Sequence, residues 1–306
     1  WERKYEIDSL CYPIQLAYLY WKETGRTSIF DDTFKKVVNI IIDLWKLEQN
    51  HANSNYTFER TNCPPTDTLK NNGKGMPVNY TGMTWSGFRP SDDACTFNYL
   101  IPSNMFAVVV LKYVEEIAYN IYRDETLAQS AEKLRKEIDY GIKTYGIYRH
   151  PRFGDIFAYE TDGFGNYNLM DDANVPSLLS IPYLQYTTTD DPIYQNTRRF
   201  ILSNENPYFY KGRYAAGIGS PHTPKNYIWH MSLIMQALTS TDDHEIKEIL
   251  QTIINTDADT GFMHEGFNAN NPSEFTRPWF AWANSLFAEL ICNLIVGGKH
   301  YLLEEL

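Results

Sequence analysis

The chain has 306 residues, a formal net charge of −11 and an aromatic share of 15%, with 23 Tyr and 7 Trp. That length can bury a sizeable core, and the acidic balance excludes a nucleic-acid partner, which needs a basic surface to meet phosphates. Aromatic faces beside acids suit a neutral, hydroxyl-rich ligand such as a sugar, although a large core has the same composition.

Helical periodicity dominates, and no segment shows sustained strand alternation. A first helix fits residues 10–24. Residues 31–48 carry Phe34, Val37, Val38, Ile41, Ile42 and Trp45 at i, i+3, i+4 spacing. A third helix fits 102–122, and in 124–145 the same stripe runs through Leu127, Ala131, Leu134, Ile138 and Ile142. Further helices fit 174–187, 190–203 and 226–240. Residues 242–255 present Ile246, Ile249, Leu250, Ile253 and Ile254, and a last helix fits 275–297. The acid pairs Asp31/Asp32, Asp190/Asp191 and Asp242/Asp243, with Asp124, stand at helix starts. A carboxylate there accepts free backbone N–H groups and meets the positive end of the helix dipole.

Few-residue turns alternate with long loops at 49–101, 146–173, 204–225 and 256–274. Short turns make neighbouring helices antiparallel, and stacking such hairpins gathers the long loops at one end. Loops of this length inside a domain are usually functional. The expectation is an all-α fold, a toroid of helical hairpins of the (α/α)6 barrel type, forming one catalytic domain over 1–306. Six hairpins need twelve helices and nine are countable here, so the first helices are expected upstream of Trp1.

Cys11, Cys63, Cys95 and Cys292 show no CxxC or Cys/His spacing and read as free thiols of a reducing compartment, which points to a cytoplasmic location. No apolar run approaches the ~20 residues of a membrane span, so no membrane partner is expected. There is no signal-peptide pattern, and the chain opens on Trp1 rather than Met, which points to an upstream segment where targeting information would lie.

The long loops concentrate chemistry. In "MPVNYTGMTWSGFRPSDDACTF", Trp85 offers a face for sugar stacking. Asp92 and Asp93 come too early to cap a helix beginning near Ser103. They are either a turn paired with Arg89, or a site where one carboxyl is kept protonated by its neighbour's charge, as a general acid requires. In the second loop, Asp162, Asp171, Asp172 and Asn174 could bond sugar hydroxyls. Capping is favoured for Asp172 and ligand contact for Asp162. His222 in the third loop reads as a structural hydrogen-bonder. In the fourth, "ADTGFMHEGF" lacks helical periodicity, so Glu265 beside His264 is not simply a helix-surface acid, and Asn268, Asn270, Asn271, Arg277 and Trp279 follow. There is no HExxH and no EF-type ladder of ligands, so no metal or cofactor is expected. Two carboxyls from different loops are what glycoside hydrolysis uses, at ~5 Å for retention or ~6.5–9.5 Å for inversion.

The blocks "WERKYEIDSLCYP", "GMTWSGFRPSDDA", "YLIPSNMFA", "MDDANVPSLL" and "FMHEGFNANNPSEFTRPWFAWANSLFAEL" resemble glycoside hydrolase family 125, the exo-α-1,6-mannosidases, over essentially the whole chain. The resemblance implies an (α/α)6 barrel, inversion of anomeric configuration, no metal, and mannose-containing glycans as partners. It implies an Asp acid in the "SDD" block, assigned to Asp92 ahead of Asp93, and a Glu base at Glu265. Trp85, Arg89, Asn104, Asp162, His264 and Arg277 are then the candidates for holding the sugar. Family members also carry a stretch rich in substrate contacts before the block that starts at Trp1. Two alternatives stand beside this reading. A non-catalytic glycan-binding toroid is disfavoured by the retained acid and base, and a calcium-dependent α-mannosidase would lose activity in chelator.

Overall fold

A computed structural model describes residues 3–304 and 306. Its helices are α1 (Ile7–Thr24), α2 (Asp32–Glu48), the single turn α3 (Lys70–Gly73), α4 (Ile101–Ile117), α5 (Glu125–Tyr145), α6 (Pro192–Ile201), α7 (His230–Leu238), α8 (Asp243–Ile254) and α9 (Ala281–Val296). The strands are β1 (Tyr99–Leu100), β2 (Ile147–His150), β3 (Gly154–Phe157), β4 (Glu160–Thr161), β5 (Tyr167–Asn168), β6 (Phe209–Lys211), β7 (Ala216–Ile218), β8 (Tyr227–Ile228), β9 (Gly266–Asn268) and β10 (Asn271–Thr276). The fold is helix-rich, in keeping with the expected all-α class, and the strands are short pieces within the long loops.

The acid pairs do start helices. Carboxylates of Asp31, Asp124, Asp191 and Asp242 accept N–H bonds from Phe34, Leu127, Tyr194 and His244 at 2.8, 2.9, 2.8 and 2.9 Å. Each such cap stabilises its helix by about 0.5–2 kcal/mol.

The chain divides into two compact units, one of Trp1–Tyr148 with Phe157–Asn168, the other of Arg149–Ile156 with Leu169–Leu306. In the first, α4 packs against both α1 and α5, and α5 also meets α2. This is why α4 is apolar almost all round, with Met105, Phe106, Val110, Leu111 and Val114 buried, whereas α5 shows a single stripe of Leu127, Ala131, Leu134, Ile138 and Ile142. A π-helical turn at Ala118–Tyr122 extends α4 over the remainder of the expected 102–122 helix. In the second unit α7 packs on α8 and α9. Strand β9 lies between β8 and β10 in an antiparallel sheet. Arg198 of α6 holds Glu245 of α8 through contacts of 2.8 and 2.9 Å.

Three expected helices need correction. Residues 174–187 form successive turns rather than a helix. Pro176 and Pro182 lack the N–H that a helix interior needs. The N–H groups of Leu178 and Leu179 are taken by the Asp171 carboxylate at 2.8 and 3.0 Å, and Ser177 and Ser180 exchange side-chain bonds with each other's backbone. The expected 226–240 helix starts only at His230, because Tyr227–Ile228 pairs with β9. The expected 275–297 helix starts at Ala281, because 271–276 pairs as β10. Pro278 then biases Arg277 away from helical geometry, and Arg277 adopts a left-handed φ of 49°.

Candidate active site

In the first unit the 82–98 loop is a folded platform with Asp92 at its tip. Its base is held by backbone bonds: Trp85 N–H to Glu48 O at 3.2 Å, Gly87 and Phe88 N–H to Tyr5 O at 3.1 Å each, and Ser86 N–H to Asn98 O at 2.8 Å. At the tip, Arg89 N–H reaches Asp93 O at 2.8 Å and Asp92 N–H reaches Arg89 O at 2.9 Å, with Asp92 in the left-handed region at φ 67°. Asp tolerates that conformation better than most residues. The outcome separates the two adjacent acids. The Asp92 side chain is 68% exposed, whereas Asp93 is buried and its carbonyl ties the turn.

Two carboxyls at the start of α1 feel the charge of Asp92. Burial and then the charge of Asp8 push Glu6 up to about 8. Burial pushes Asp8 up to about 7, against the Ser103 hydroxyl that donates to it at 3.3 Å. The charge of Asp92 adds to both shifts. Lys4 approaches from the same segment, donating to the Asp92 carbonyl, pairing with Asp67 at 3.1 Å and lying 3.9 Å from the Asp92 carboxylate. Glu6, Asp8 and Lys4 were not singled out from the sequence. The signal available was two acids and a lysine within "KYEIDSL", which also reads as ordinary helix-start polarity.

In the second unit Glu265 sits just before β9. Its side chain is 8% exposed and its Oε1 lies 2.9 Å from Arg277 Nε, whose side chain is 61% exposed. The left-handed turn at Arg277 folds the guanidinium back onto Glu265. Gly266 lets the chain pass Trp229 closely: a Cβ there would lie 3.1 Å from the indole. His264 supports the segment, stacked on Phe275 at 3.9 Å with its ring nitrogens 3.0 and 3.1 Å from the carbonyls of Pro278 and Asp257. Its backbone N–H donates to His230 Nδ1 at 2.9 Å, while His230 Nε2 faces the Thr256 hydroxyl at 3.1 Å. Those partners require His230 to be neutral, with the proton on Nε2.

Five of the residues expected to hold the sugar have partners inside the protein. Trp85 is buried, stacked on His51 at 3.7 Å and nearly parallel to Tyr5. Arg89 pairs with Glu160 at 2.6 Å rather than with Asp92 or Asp93. Asn104 accepts from Thr84 N–H at 2.9 Å and returns a bond to Thr84 O at 3.0 Å. Asp162 closes a turn by accepting from Phe164 N–H at 2.8 Å and the Asn166 amide at 2.7 Å. His264 is enclosed as described. Arg277 alone of the six stays largely exposed, and two residues beyond it Trp279 is 57% exposed. Asp172 does cap locally, accepting from the Asn174 amide at 2.9 Å, although no helix follows. Asn268 and Asn271 both donate to Glu274, at 2.8 and 3.0 Å, and so brace the β9–β10 hairpin. Among the described residues no group of three or more His, Cys, Asp or Glu side chains is placed to hold a metal ion, and no helix is long and apolar enough to cross a membrane. The four cysteines are free.

His230 makes the second unit acid-sensitive. Burial, then the charge of His264, lowers it from 6.5 to about 3. Between those values the unfolded chain binds a proton that the folded chain refuses, so stability falls as pH drops through that window, by about 1.4 kcal/mol per unit. Buried Asp171, raised to about 8 by burial, acts in the opposite sense. The expected result is therefore a difference: urea unfolding of His230→Gln loses less stability between pH 6.5 and 4.5 than the parent protein. Equal slopes would show that His230 takes up its proton while folded.

Comparison with known proteins decides what this arrangement belongs to. The family model described as metal-independent alpha-mannosidase (GH125) matches residues 1–292. The chain belongs to glycoside hydrolase family 125. A GH125 enzyme of Streptococcus pneumoniae, a metal-independent alpha mannosidase solved in a non-productive complex with alpha-1,6-mannobiose, superposes with a TM-score of 0.95 at 52% identity, covering 97% of this chain and 70% of that one. The Meiotically up-regulated gene 157 protein of Schizosaccharomyces pombe is 44% identical over 312 residues. That alignment takes in 98% of this chain, which spans 61% of the yeast protein's length.

Proposed function

We propose that this protein is an exo-acting α-1,6-mannosidase that removes terminal mannose from the non-reducing ends of glycans with inversion. The observation that carries the reading is the likeness to the pneumococcal enzyme solved with alpha-1,6-mannobiose, at 52% identity. In this reading Asp92 is the general acid and Glu265 the general base. Asp92 gives its proton to the glycosidic oxygen as the bond to the anomeric carbon breaks. Glu265 takes a proton from the water that attacks that carbon from the opposite face. The sugar leaves as the β-anomer, and solvent returns the proton from Glu265 to Asp92.

The local chemistry supports these roles. Asp92 is exposed on a turn braced by its own backbone bonds, free to meet a leaving-group oxygen. Glu265 is oriented by Arg277. Arg277 is the sugar contact we retain. Trp85, Arg89 and Asn104 brace the loop that carries the acid, His264 braces the segment that carries the base, and Asp162 closes a turn of its own.

Proton NMR of a fresh reaction on an α-1,6-mannoside tests the stereochemistry. β-Mannose is the expected first product, because inversion places a water between the base and the anomeric carbon. α-Mannose as the initial anomer would rule inversion out.

A further inference from the structure

Glu160, in β4, is fully buried, and its carboxylate accepts four hydrogen bonds. The donors are Arg89 Nε at 2.6 Å, Thr96 N–H at 3.1 Å, Phe97 N–H at 3.2 Å and Asn168 Nδ2 at 3.0 Å. Three of them belong to the two limbs of the loop that carries Asp92: Arg89 on the way out, Thr96 and Phe97 on the way back. The limbs are also joined by Arg89 Nη2 to Thr96 Oγ1 at 3.3 Å and by Cys95 N–H to Gly87 O at 3.0 Å, and the guanidinium lies 5.5 Å from the centre of the Tyr159 ring. One buried carboxylate thus gathers a guanidinium and two backbone amides in charge-assisted bonds, which are the strong and directional ones.

From this geometry we propose that Glu160, acting through Arg89 and the Thr96 and Phe97 amides, is a positioning residue that sets where Asp92 presents its carboxyl to the leaving-group oxygen. The proposal rests on the reading of Asp92 as the general acid. A displacement of about 1 Å in a reacting group can cost about 10²-fold in rate. Two positions in the turn transmit such a displacement directly. Arg89 O accepts the Asp92 N–H, and Asp93 O accepts the Arg89 N–H, so a shift of the Arg89 backbone pulls on the acid's own amide and on the residue that follows it.

Glu160→Asp keeps the charge but shortens the reach, so the four donors can no longer be met together. Its test compares two substrates. On α-1,6-mannobiose, whose leaving alkoxide needs a proton, turnover is expected to fall about 10²-fold. On 2,4-dinitrophenyl α-mannoside, whose leaving group departs without one, it should change little. A staple that only keeps the loop folded would lower both rates in proportion to the folded fraction, so equal losses, or no loss on either, overturn the proposal. Asp92→Asn is the reference. If it shows no leaving-group dependence, the reading of Asp92 itself fails; if it does and Glu160→Asp does not, the Glu160 proposal fails alone. Should Glu160→Asp not fold, Asn168→Ala removes one donor and leaves the ion pair, and the same selective loss, smaller in size, is expected there. Equal losses on both substrates in that variant overturn the proposal as well.

Discussion

Replacing Glu265 by alanine is expected to lower turnover of α-1,6-mannobiose by about 10²–10⁴-fold, the usual worth of a general base, with the protein still folded. The structural cost is small because the partner left behind is not trapped. Arg277 has a 61% exposed side chain and returns to water when its carboxylate is removed. The segment itself keeps the His264 bonds and the β9 pairing, neither of which uses the Glu265 side chain. Added azide should restore rate by attacking the anomeric carbon in place of the activated water, with β-mannosyl azide as the product. A Glu265→Ala variant that keeps the parent rate on mannobiose would remove Glu265 from the mechanism.

Asp92→Ala is expected to show a different signature. Loss of a general acid hurts poor leaving groups most, so turnover of mannobiose should fall by about 10²–10⁴-fold, with far less change on an activated aryl mannoside. Stability should hardly move, because the Asp92 side chain is 68% exposed and the turn is tied by its backbone. The Asp93→Ala variant separates the two neighbours. Asp93 is buried, so its loss should appear in the melting temperature and should lower both substrates alike. The opposite pattern, with leaving-group dependence in Asp93→Ala and not in Asp92→Ala, would transfer the acid to Asp93.

These expectations draw on sequence and structure in unequal parts. The helices were legible where one physical rule acted alone. In α2, α5 and α8 a single face is buried, so the apolar stripe shows at its full period. Their first turns lean on aspartates three residues or fewer from the N–H they cap, and that chemistry is local in sequence. Residues 174–187 were misread because apolar content there has a competing local outlet: Asp171 and two serines take the N–H groups that a helix would have used.

The sequence by itself determined the helix caps, the amphipathic helices, the long connections between them, and the family through blocks long enough to be specific. Only the tertiary structure decided which polar and aromatic side chains within those loops face outward. Trp85, Asp162 and His264 in the loops, and Asn104 in α4, have the residue types of sugar-binding groups, and each has a partner inside the protein. The physical reason is that a hydrogen-bonding or stacking group carries no mark in sequence of which partner it will meet. Arg89 finds Glu160 at a separation of 71 residues, and Ser103 donates to Asp8 across 95. Long-range pairing of this kind makes Arg89 a brace and leaves neighbouring Asp92 exposed. It also brings the carboxyls of Glu6 and Asp8, from the start of α1, to bear on an acid more than eighty residues away.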